Sequence, residues 1–152
     1  MKNELRSKRL TLGFIGGSTN SAVGYTHFVS SRMDNFWSLE AGCFSTNAER
    51  NITTAQIYGV PTDRVYNNWQ EMLIKEKGKL DAIVVLLPTP LHNEVVKACL
   101  NSGFSVICEK TLAMNSSESL EILEVQRQNK SFLAVTYNYT GYPMVRELQK
   151  KI

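Results

Sequence analysis

Short, continuous apolar runs constrain the fold of this chain more than any other feature of its sequence. The clearest run, residues 82–87, reads Ala-Ile-Val-Val-Leu-Leu; it is rich in β-branched residues and is closed by Pro88. Similar runs occupy residues 10–15, 39–44, 104–108 and 132–137. Continuous rather than alternating apolar residues are typical of strands that are covered on both faces, as in parallel sheets.

Helical patterns lie between these runs. Asn115 with Glu118 three positions later resembles an N-terminal capping box, and Gly103 ends an apolar helical stripe. Further helices are predicted around residues 22–33, 48–58, 69–75, 95–100 and 120–125.

The order of these elements predicts the fold class. Strand and helix alternate about five times, which is typical of right-handed βαβ units. We therefore predict an α/β fold with a doubly wound parallel sheet, helices on both faces and a three-layer sandwich in strand order 3-2-1-4-5-6. The pair Val65-Tyr66 is a weaker candidate for one more short strand.

Composition narrows the class of protein. The chain has 152 residues, 43% hydrophobic and 20% charged, as expected for one globular domain. Cys43, Cys99 and Cys108 form no CxxC pair, so we expect buried free thiols in a reducing, cytoplasmic compartment and no metal site. The net charge of +3 does not indicate nucleic acid, and no apolar run approaches the ~20 residues of a membrane span. We expect neither a nucleic-acid nor a membrane partner, and a charged tail over residues 1–8.

The turn after the first strand is the first candidate site for a ligand. It reads Gly-Gly-Ser-Thr-Asn-Ser-Ala-Val-Gly over residues 16–24. A nucleotide-binding fold needs glycine there, because backbone N–H groups at a helix N-terminus then approach a pyrophosphate. The outer glycines of this turn lie three residues further apart than those of a GxGxxG motif. Spacing alone therefore leaves a simple flexible turn as an equal alternative.

The end of the second strand bears on the choice of cofactor. An NAD site usually carries an acidic residue there for the ribose hydroxyls, but this strand ends at Phe44-Ser45-Thr46. Arg50 follows, and it would either face a 2′-phosphate or be a solvated helix residue. The choice between NAD and NADP stays open.

Polar segments also follow the later strands, where loops at the carboxyl ends of a parallel sheet line a ligand crevice. Pro88-Thr89-Pro90-Leu91-His92 is the first, and His92 would contact a ligand or merely begin the next helix. Glu109 and Lys110 are the second; such a pair can orient a hydroxyl and move its proton, or form only a surface ion pair. Asn138 lies in an aromatic segment that would face a nicotinamide or sugar, or seal a domain junction.

Together these motifs resemble the glucose–fructose oxidoreductase, inositol dehydrogenase and rhizopine-catabolism (Gfo/Idh/MocA) family. Residues 92–110 (HNEVVKACLNSGFSVICEK) are similar to the family's pattern of His, helix, Gly, strand and Glu-Lys-Pro. Residues 24–27 resemble its Gly-x-x-His. Residues 138–143 resemble the post-strand motif of one branch, whose elongated Gly-Gly turn would account for the extra residues. The resemblance covers nearly all of residues 9–150.

The resemblance implies a Rossmann fold that binds NAD or NADP and transfers hydride at a hydroxyl carbon of a sugar, inositol or related polyol. Lys110 would be the lysine that binds substrate near the nicotinamide, with Glu109 beside it. Thr111 stands where the family has proline, and Ser45 where it often has an acid. The catalytic candidates are Lys110 and Glu109. The cofactor-binding candidates are Gly16, Gly17, Ser18, Asn20, Gly24, Ser45, Arg50, Pro88, Thr89, His92, Glu109 and Asn138.

Family members also carry a second α/β domain, which supplies most of the substrate pocket and usually a catalytic histidine or aspartate. We therefore expect residues 9–140 to be the dinucleotide-binding domain and residues 141–152 to begin the junction to that second domain. The chain alone is expected to be inactive, and a homo-oligomer to form through the second domain. His27 lies too near the phosphate turn to serve as the missing base, so we expect it to be structural.

Two alternative functions were weighed. A non-catalytic dinucleotide-binding sensor or regulatory module would suit a chain of this length, whereas Glu109 and Lys110 argue against it. A methyltransferase usually needs a tight glycine cluster and an acid after the second strand, and the sequence has neither.

Overall fold

A computed structural model describes residues 9–152, so the predicted charged tail lies outside the described residues. One five-stranded sheet forms in the spatial order β2-β1-β3-β4-β5, and every neighbouring pair is parallel. The strands are β1 (Leu10–Gly16), β2 (Trp37–Cys43), β3 (Ala82–Leu86), β4 (Ser105–Glu109) and β5 (Leu133–Thr136). The predicted doubly wound, Rossmann-like α/β fold is confirmed.

The helices follow the strands in the expected alternation, and asparagine caps three of them. The side chains of Asn47, Asn68 and Asn115 each accept a hydrogen bond from the backbone N–H three residues later, which confirms the predicted Asn115–Glu118 cap. The helices are α1 (Gly24–Met33), α2 (Ala48–Tyr58), α3 (Trp69–Glu76), α4 (His92–Asn101), α5 (Ser116–Asn129) and α6 (Pro143–Lys151).

The third strand of the predicted order is reduced to a single bridge. Val65 pairs in parallel with Gly42 of β2, on the side of β2 where the order 3-2-1-4-5-6 puts an outer strand. A 3-10 turn (Thr62–Arg64) precedes Val65, and Asn68 caps α3 soon after it. Too few extended residues remain between the turn and the helix to build a ladder.

The two faces of the sheet bury two apolar clusters. The central strand β3 is buried along its whole length. Its Ile83 belongs to the cluster that includes Val95 of α4, while its neighbour Val84 belongs to the cluster that includes Tyr58 of α2. This alternation follows from strand geometry, since successive side chains point to opposite faces.

The three cysteines are buried free thiols, as predicted. Burial raises the pKa of Cys43 to about 11 and the pKa values of Cys99 and Cys108 to about 12. These thiols are therefore protonated at neutral pH and contribute to packing. Across residues 9–152, none of the helices combines the length and the apolar character that a bilayer crossing requires.

The last helix carries an uncovered apolar face. Met144 is 79% exposed, Leu148 is 56% exposed and Ile152 is 95% exposed. Met144 and Leu148 are four residues apart, so they share one side of α6, and Ile152 follows directly after the helix. This side is a surface on which further protein could pack.

Candidate functional site

The glycine turn lies between the carboxyl end of β1 and the amino end of α1. Gly16 has a φ of +82°, and a Cβ there would lie 2.7 Å from the carbonyl oxygen of Leu86 in β3. A Cβ on Gly24 would clash with the carbonyl oxygen of Gly17. Both positions therefore require glycine, and the turn packs directly against the first residue of α1. A helix amino end presented in this way is a site for a phosphate group.

Two residues of α2 form hydrogen bonds to the backbone of this turn, although sequence reasoning did not single them out. The Tyr58 hydroxyl donates to the carbonyl oxygen of Gly17 at 3.1 Å, and the Thr54 hydroxyl accepts from the Thr19 N–H at 3.3 Å. Both side chains are buried. The one signal for this pair in the sequence was its i, i+4 spacing on one face of α2. Both residues lie far from the turn in sequence, so no local motif connects them with it.

A cavity of about 280 Å³ opens beside the turn, where β1, β2 and β3 end. Ser45 lines it, as does Gly16. The opposite wall comes from the segment around Asn67 and Trp69 and from Leu91 and Glu94. Leu91 belongs to the loop that the sequence predicted to line a crevice, whereas Asn67, Trp69 and Glu94 were not predicted, because the segment before α3 carries no motif of its own.

Buried Asn51 fixes the end of β2 at the edge of this cavity. Its Oδ1 accepts hydrogen bonds from the N–H groups of Phe44 and Ser45 at 2.8 and 3.4 Å, and its Nδ2 donates to the Tyr66 carbonyl at 2.8 Å. Arg50 lies next to it on the exposed first turn of α2, outside the lining of the cavity.

His92 is a core residue that supports two loops at the carboxyl edge of the sheet. The side chain is fully buried, with Nδ1 2.8 Å from the Thr111 carbonyl oxygen and Nε2 2.8 Å from the Leu87 carbonyl oxygen. The ring therefore joins the loop after β3 to the loop after β4. Of the two roles weighed for it, His92 does begin α4. Pro88 and Thr89 lie in the loop after β3, at the start of a short 3-10 turn.

A second cavity, of about 510 Å³, lies between α1, the end of β4 and the segment after β5. The structure brings Glu109, Lys110 and Asn138 together in its wall. These residues come from two of the segments that the sequence singled out. His27 and Thr136 also line the cavity.

His27 makes a contact that the sequence did not predict. Its Nε2 lies 2.7 Å from Oε1 of Glu109, so His27 contacts the segment that carries Lys110 and also lies near the glycine turn. The reason is the direction of α1: it starts at Gly24, and three residues later the side chain meets the end of β4. Sequence distance from Lys110 gave no sign of this contact.

Glu109 is a largely buried carboxylate, with a side chain 13% exposed. Burial opposes its ionisation, but hydrogen bonds from His27 and Thr136 outweigh burial and lower its pKa. Thr136 Oγ1 donates to Oε1 at 2.7 Å. The group is therefore an acceptor at neutral pH, and among the described residues its nearest basic side chain is His27 rather than Lys110.

Comparison with known proteins identifies the class to which this site belongs. Residues 10–137 match the model of the Gfo/Idh/MocA family, described as an oxidoreductase family with an NAD-binding Rossmann fold. The chain belongs to this family, and the matched region is its NAD-binding domain.

Individual relatives agree with the family assignment. The chain is 37% identical over 150 residues to the uncharacterised oxidoreductase YfiI of Bacillus subtilis, covering 96% of this chain and 38% of the relative. It is 30% identical over 109 residues to the scyllo-inositol 2-dehydrogenase (NADP+) IolU of the same organism, covering 72% of this chain and 32% of that protein.

A solved structure supports the same assignment. The crystal structure of an inositol dehydrogenase homologue from Azotobacter vinelandii, complexed with NAD+, matches with a TM-score of 0.89 and 26% identity. The match covers 95% of this chain and 38% of that chain. The chain therefore spans less than two fifths of the length of these proteins.

Proposed function

We propose that this chain is the cofactor domain of an NAD(P)-dependent dehydrogenase that acts on a CH–OH group of a sugar, inositol or similar polyol. The observation that carries the proposal is that the glycine turn and both cavities lie at the carboxyl ends of the strands. That edge is where open parallel sheets bind their ligands.

Three regions of this edge would each bind one part of a dinucleotide. The turn over residues 16–24, with Ser18 and Asn20, would hold the pyrophosphate against α1. The 280 Å³ cavity beside Ser45 would take the adenosine half, and Pro88 and Thr89 of the neighbouring loop would contact the cofactor at the same edge. The 510 Å³ cavity beside Asn138 would take the nicotinamide half. When bound, the cofactor supplies or accepts the hydride.

Lys110 would act on the substrate hydroxyl. Its side chain is exposed and lines the nicotinamide-side cavity. An ammonium there can orient the hydroxyl and help to move its proton. Glu109 would hold the backbone at this point, because its Oε2 accepts the Lys110 N–H at 3.2 Å.

The substrate class and the partners rest on likeness to the relatives. IolU is a scyllo-inositol dehydrogenase, and the Azotobacter homologue has been crystallised with NADH and myo-inositol. By analogy with these relatives, we propose that the substrate of this enzyme is a polyol. A second domain would pack on the apolar face of α6 and carry any oligomer contacts. The three free thiols favour a reducing, cytoplasmic location.

A binding titration tests the proposal. NAD, NADH, NADP and NADPH are each titrated against the 152-residue chain by calorimetry. We expect saturable, one-to-one binding of at least one of the four. If none binds to the folded chain, the proposed function is wrong. A sensor would also bind, so polyol-dependent reduction of NAD(P) by the longest gene product carrying this chain separates an enzyme from a sensor.

A further inference from the structure

The Glu109 carboxylate is the point where three separate elements meet. Oε1 lies 2.7 Å from His27 Nε2 on α1 and 2.7 Å from Thr136 Oγ1 at the end of β5. Oε2 accepts the backbone N–H of Lys110 at 3.2 Å. Contacts with α1 and β5 therefore set the orientation of this carboxylate. The carboxylate in turn holds the backbone N–H of Lys110 in place.

The chemistry of the group decides which atoms donate. An ionised carboxylate only accepts hydrogen bonds, and the pKa of Glu109 is lowered because its hydrogen bonds from His27 and Thr136 outweigh its burial. Nε2 of His27 therefore carries a hydrogen and donates a hydrogen bond to Oε1 of Glu109. The 2.7 Å distance is that of a charge-assisted hydrogen bond.

The same helix that carries His27 also begins at the phosphate turn. Gly24 packs against Gly17 so closely that no Cβ fits between them. His27 lies one turn further along α1, and its ring packs edge-on against Phe14 of β1 with centroids 6.5 Å apart. Both contacts limit the movement of the ring, so the donor at Nε2 stays directed at Glu109.

We propose that His27 is a positioning residue for Lys110. Through its hydrogen bond to Glu109 it holds the backbone of Lys110 in place, and it links that segment to the helix that begins at the phosphate turn. The proposal rests on the proposed function only in taking Lys110 as the substrate contact. The hydrogen-bond chain from His27 to the Lys110 N–H can be tested without any reaction.

The first test uses NMR on the 152-residue chain. ¹⁵N shifts of the His27 ring are expected to show a proton on Nε2. Hydrogen exchange at the Lys110 amide should be roughly tenfold faster in His27→Leu, while His27→Gln, which keeps a donor, stays near wild type. Val29→Ala on the exposed side of α1 is the matched control. A bare Nε2, or an unchanged Lys110 exchange rate in folded His27→Leu, would overturn the proposal.

The second test measures turnover in the longest gene product that carries this chain. His27→Leu should lower kcat by roughly 10- to 100-fold, the cost of a small misplacement of a reacting group. The dissociation constant of the cofactor should stay within about twofold, and His27→Gln should recover most of the rate. Equal losses in His27→Leu and His27→Gln, or an unchanged kcat, contradict the proposal.

The two proposals fail in different ways. If the wild-type chain binds none of the four dinucleotides, the proposed function is wrong, and the NMR test still decides whether His27 holds the Lys110 segment. If the chain binds a dinucleotide and the His27 variants change neither exchange nor kcat, only the positioning role is wrong.

Discussion

Glu109 accepts hydrogen bonds from His27, 82 positions away, and from Thr136, 27 positions away. The glycine turn shows the same dependence on distant residues, because Tyr58 binds Gly17 across 41 positions. At the scale of single residues, the site thus combines groups that the motifs identify with supporting groups that they do not. A substitution at a residue of a motif tests the role of that residue most directly when the contacts of the supporting residues are unchanged.

One prediction concerns the phosphate turn. Gly16→Val should weaken dinucleotide binding by at least about tenfold, but its Cβ would meet the Leu86 carbonyl and strain the fold. Asn20→Asp is the sharper variant, because Asn20 is exposed and an added carboxylate repels the pyrophosphate. We expect roughly tenfold weaker binding at low salt by calorimetry. Gln56→Glu, exposed further along α2, adds the same charge as a control. Equal affinities for the two variants would contradict the phosphate site.

A second prediction concerns Lys110. In the longest gene product carrying this chain, Lys110→Ala should lower kcat/KM by roughly 10²- to 10⁴-fold, the usual range for a lost acid–base group. Cofactor affinity should stay nearly constant, because Lys110 is expected to contact the substrate. Steady-state kinetics and a cofactor titration measure both, with exposed Lys75→Ala as the control. A fully active Lys110→Ala enzyme would refute the assignment.

At the scale of elements, a buried ion pair fastens α3 to the segment before it. Glu76 on α3 is fully buried and binds Arg64 at 2.6 Å and the Tyr66 hydroxyl at 2.6 Å. Arg64 also reaches Glu40 of β2 at 3.2 Å. Burial opposes ionisation of Glu76, but its hydrogen bonds from Arg64 and Tyr66 outweigh it and lower its pKa. This network joins α3, the segment before α3 and β2.

Stability should therefore depend on pH through Glu76. A carboxyl whose folded-state pKa is below its ordinary value of 4.5 stabilises the fold fully above that value, and loses the contribution as pH falls through the folded-state pKa. Glu76→Gln should lower the free energy of unfolding by about 2–3 kcal/mol at pH 7, since it leaves Arg64 with one partner fewer. The difference from wild type should shrink below pH ~4.

Urea unfolding of wild type and Glu76→Gln across pH 3 to 7 checks this dependence, with exposed Glu49→Gln as the control. A difference between wild type and Glu76→Gln that stays constant across the series would show that the ionised pair is not its source.

The junction of β2 and α2 should decide between the two cofactors. Ser45 neither repels a 2′-phosphate nor binds both ribose hydroxyls, so the wild-type chain should discriminate between NADH and NADPH only modestly. Ser45→Asp should shift the ratio of affinities toward NADH by about tenfold or more, whereas Gln56→Glu should not. Fluorescence titrations measure the ratio. A hundredfold wild-type preference for NADH would show that another acidic group binds the ribose.

At the scale of the whole molecule, the described residues provide the carboxyl edge of the sheet with its glycine turn and two cavities. The 510 Å³ cavity is walled by α1, the end of β4 and the segment after β5. The relatives are more than twice as long as this chain, and the apolar face of α6 is uncovered. A second domain on that face would complete the opposite wall.

The 152-residue chain should therefore bind cofactor and turn over no polyol. Hydride transfer needs the hydroxyl carbon held ~3–3.5 Å from the nicotinamide, and such positioning supplies a large share of the barrier reduction. In the proposed function, Lys110 would contact the hydroxyl of that carbon from one side only. Reduction of NAD and of NADP is followed by absorbance, with saturating inositol and several sugars as substrates. Polyol-dependent reduction by the isolated chain would contradict the prediction.

The sequence determined the fold class, because hydrophobic periodicity and capping residues are local signals. The run at residues 82–87 predicted β3, and Asn115 with Glu118 predicted the start of α5. The glycine turn and the Glu109-Lys110 pair were also visible, since their neighbours along the chain mark the ends of strands. What local pattern could not give was the length of the third strand, where the turn before Val65 and the cap at Asn68 left no room for a ladder.

Only the tertiary structure decided which residues share a site. His27 meets Glu109, and Tyr58 meets Gly17, because parallel strands align their carboxyl ends at one edge while the crossover helices return over the sheet. It also buried His92, whose ring joins two loops instead of lining a cavity. Contacts between residues this far apart depend on packing of the whole sheet, and no short stretch of sequence encodes them.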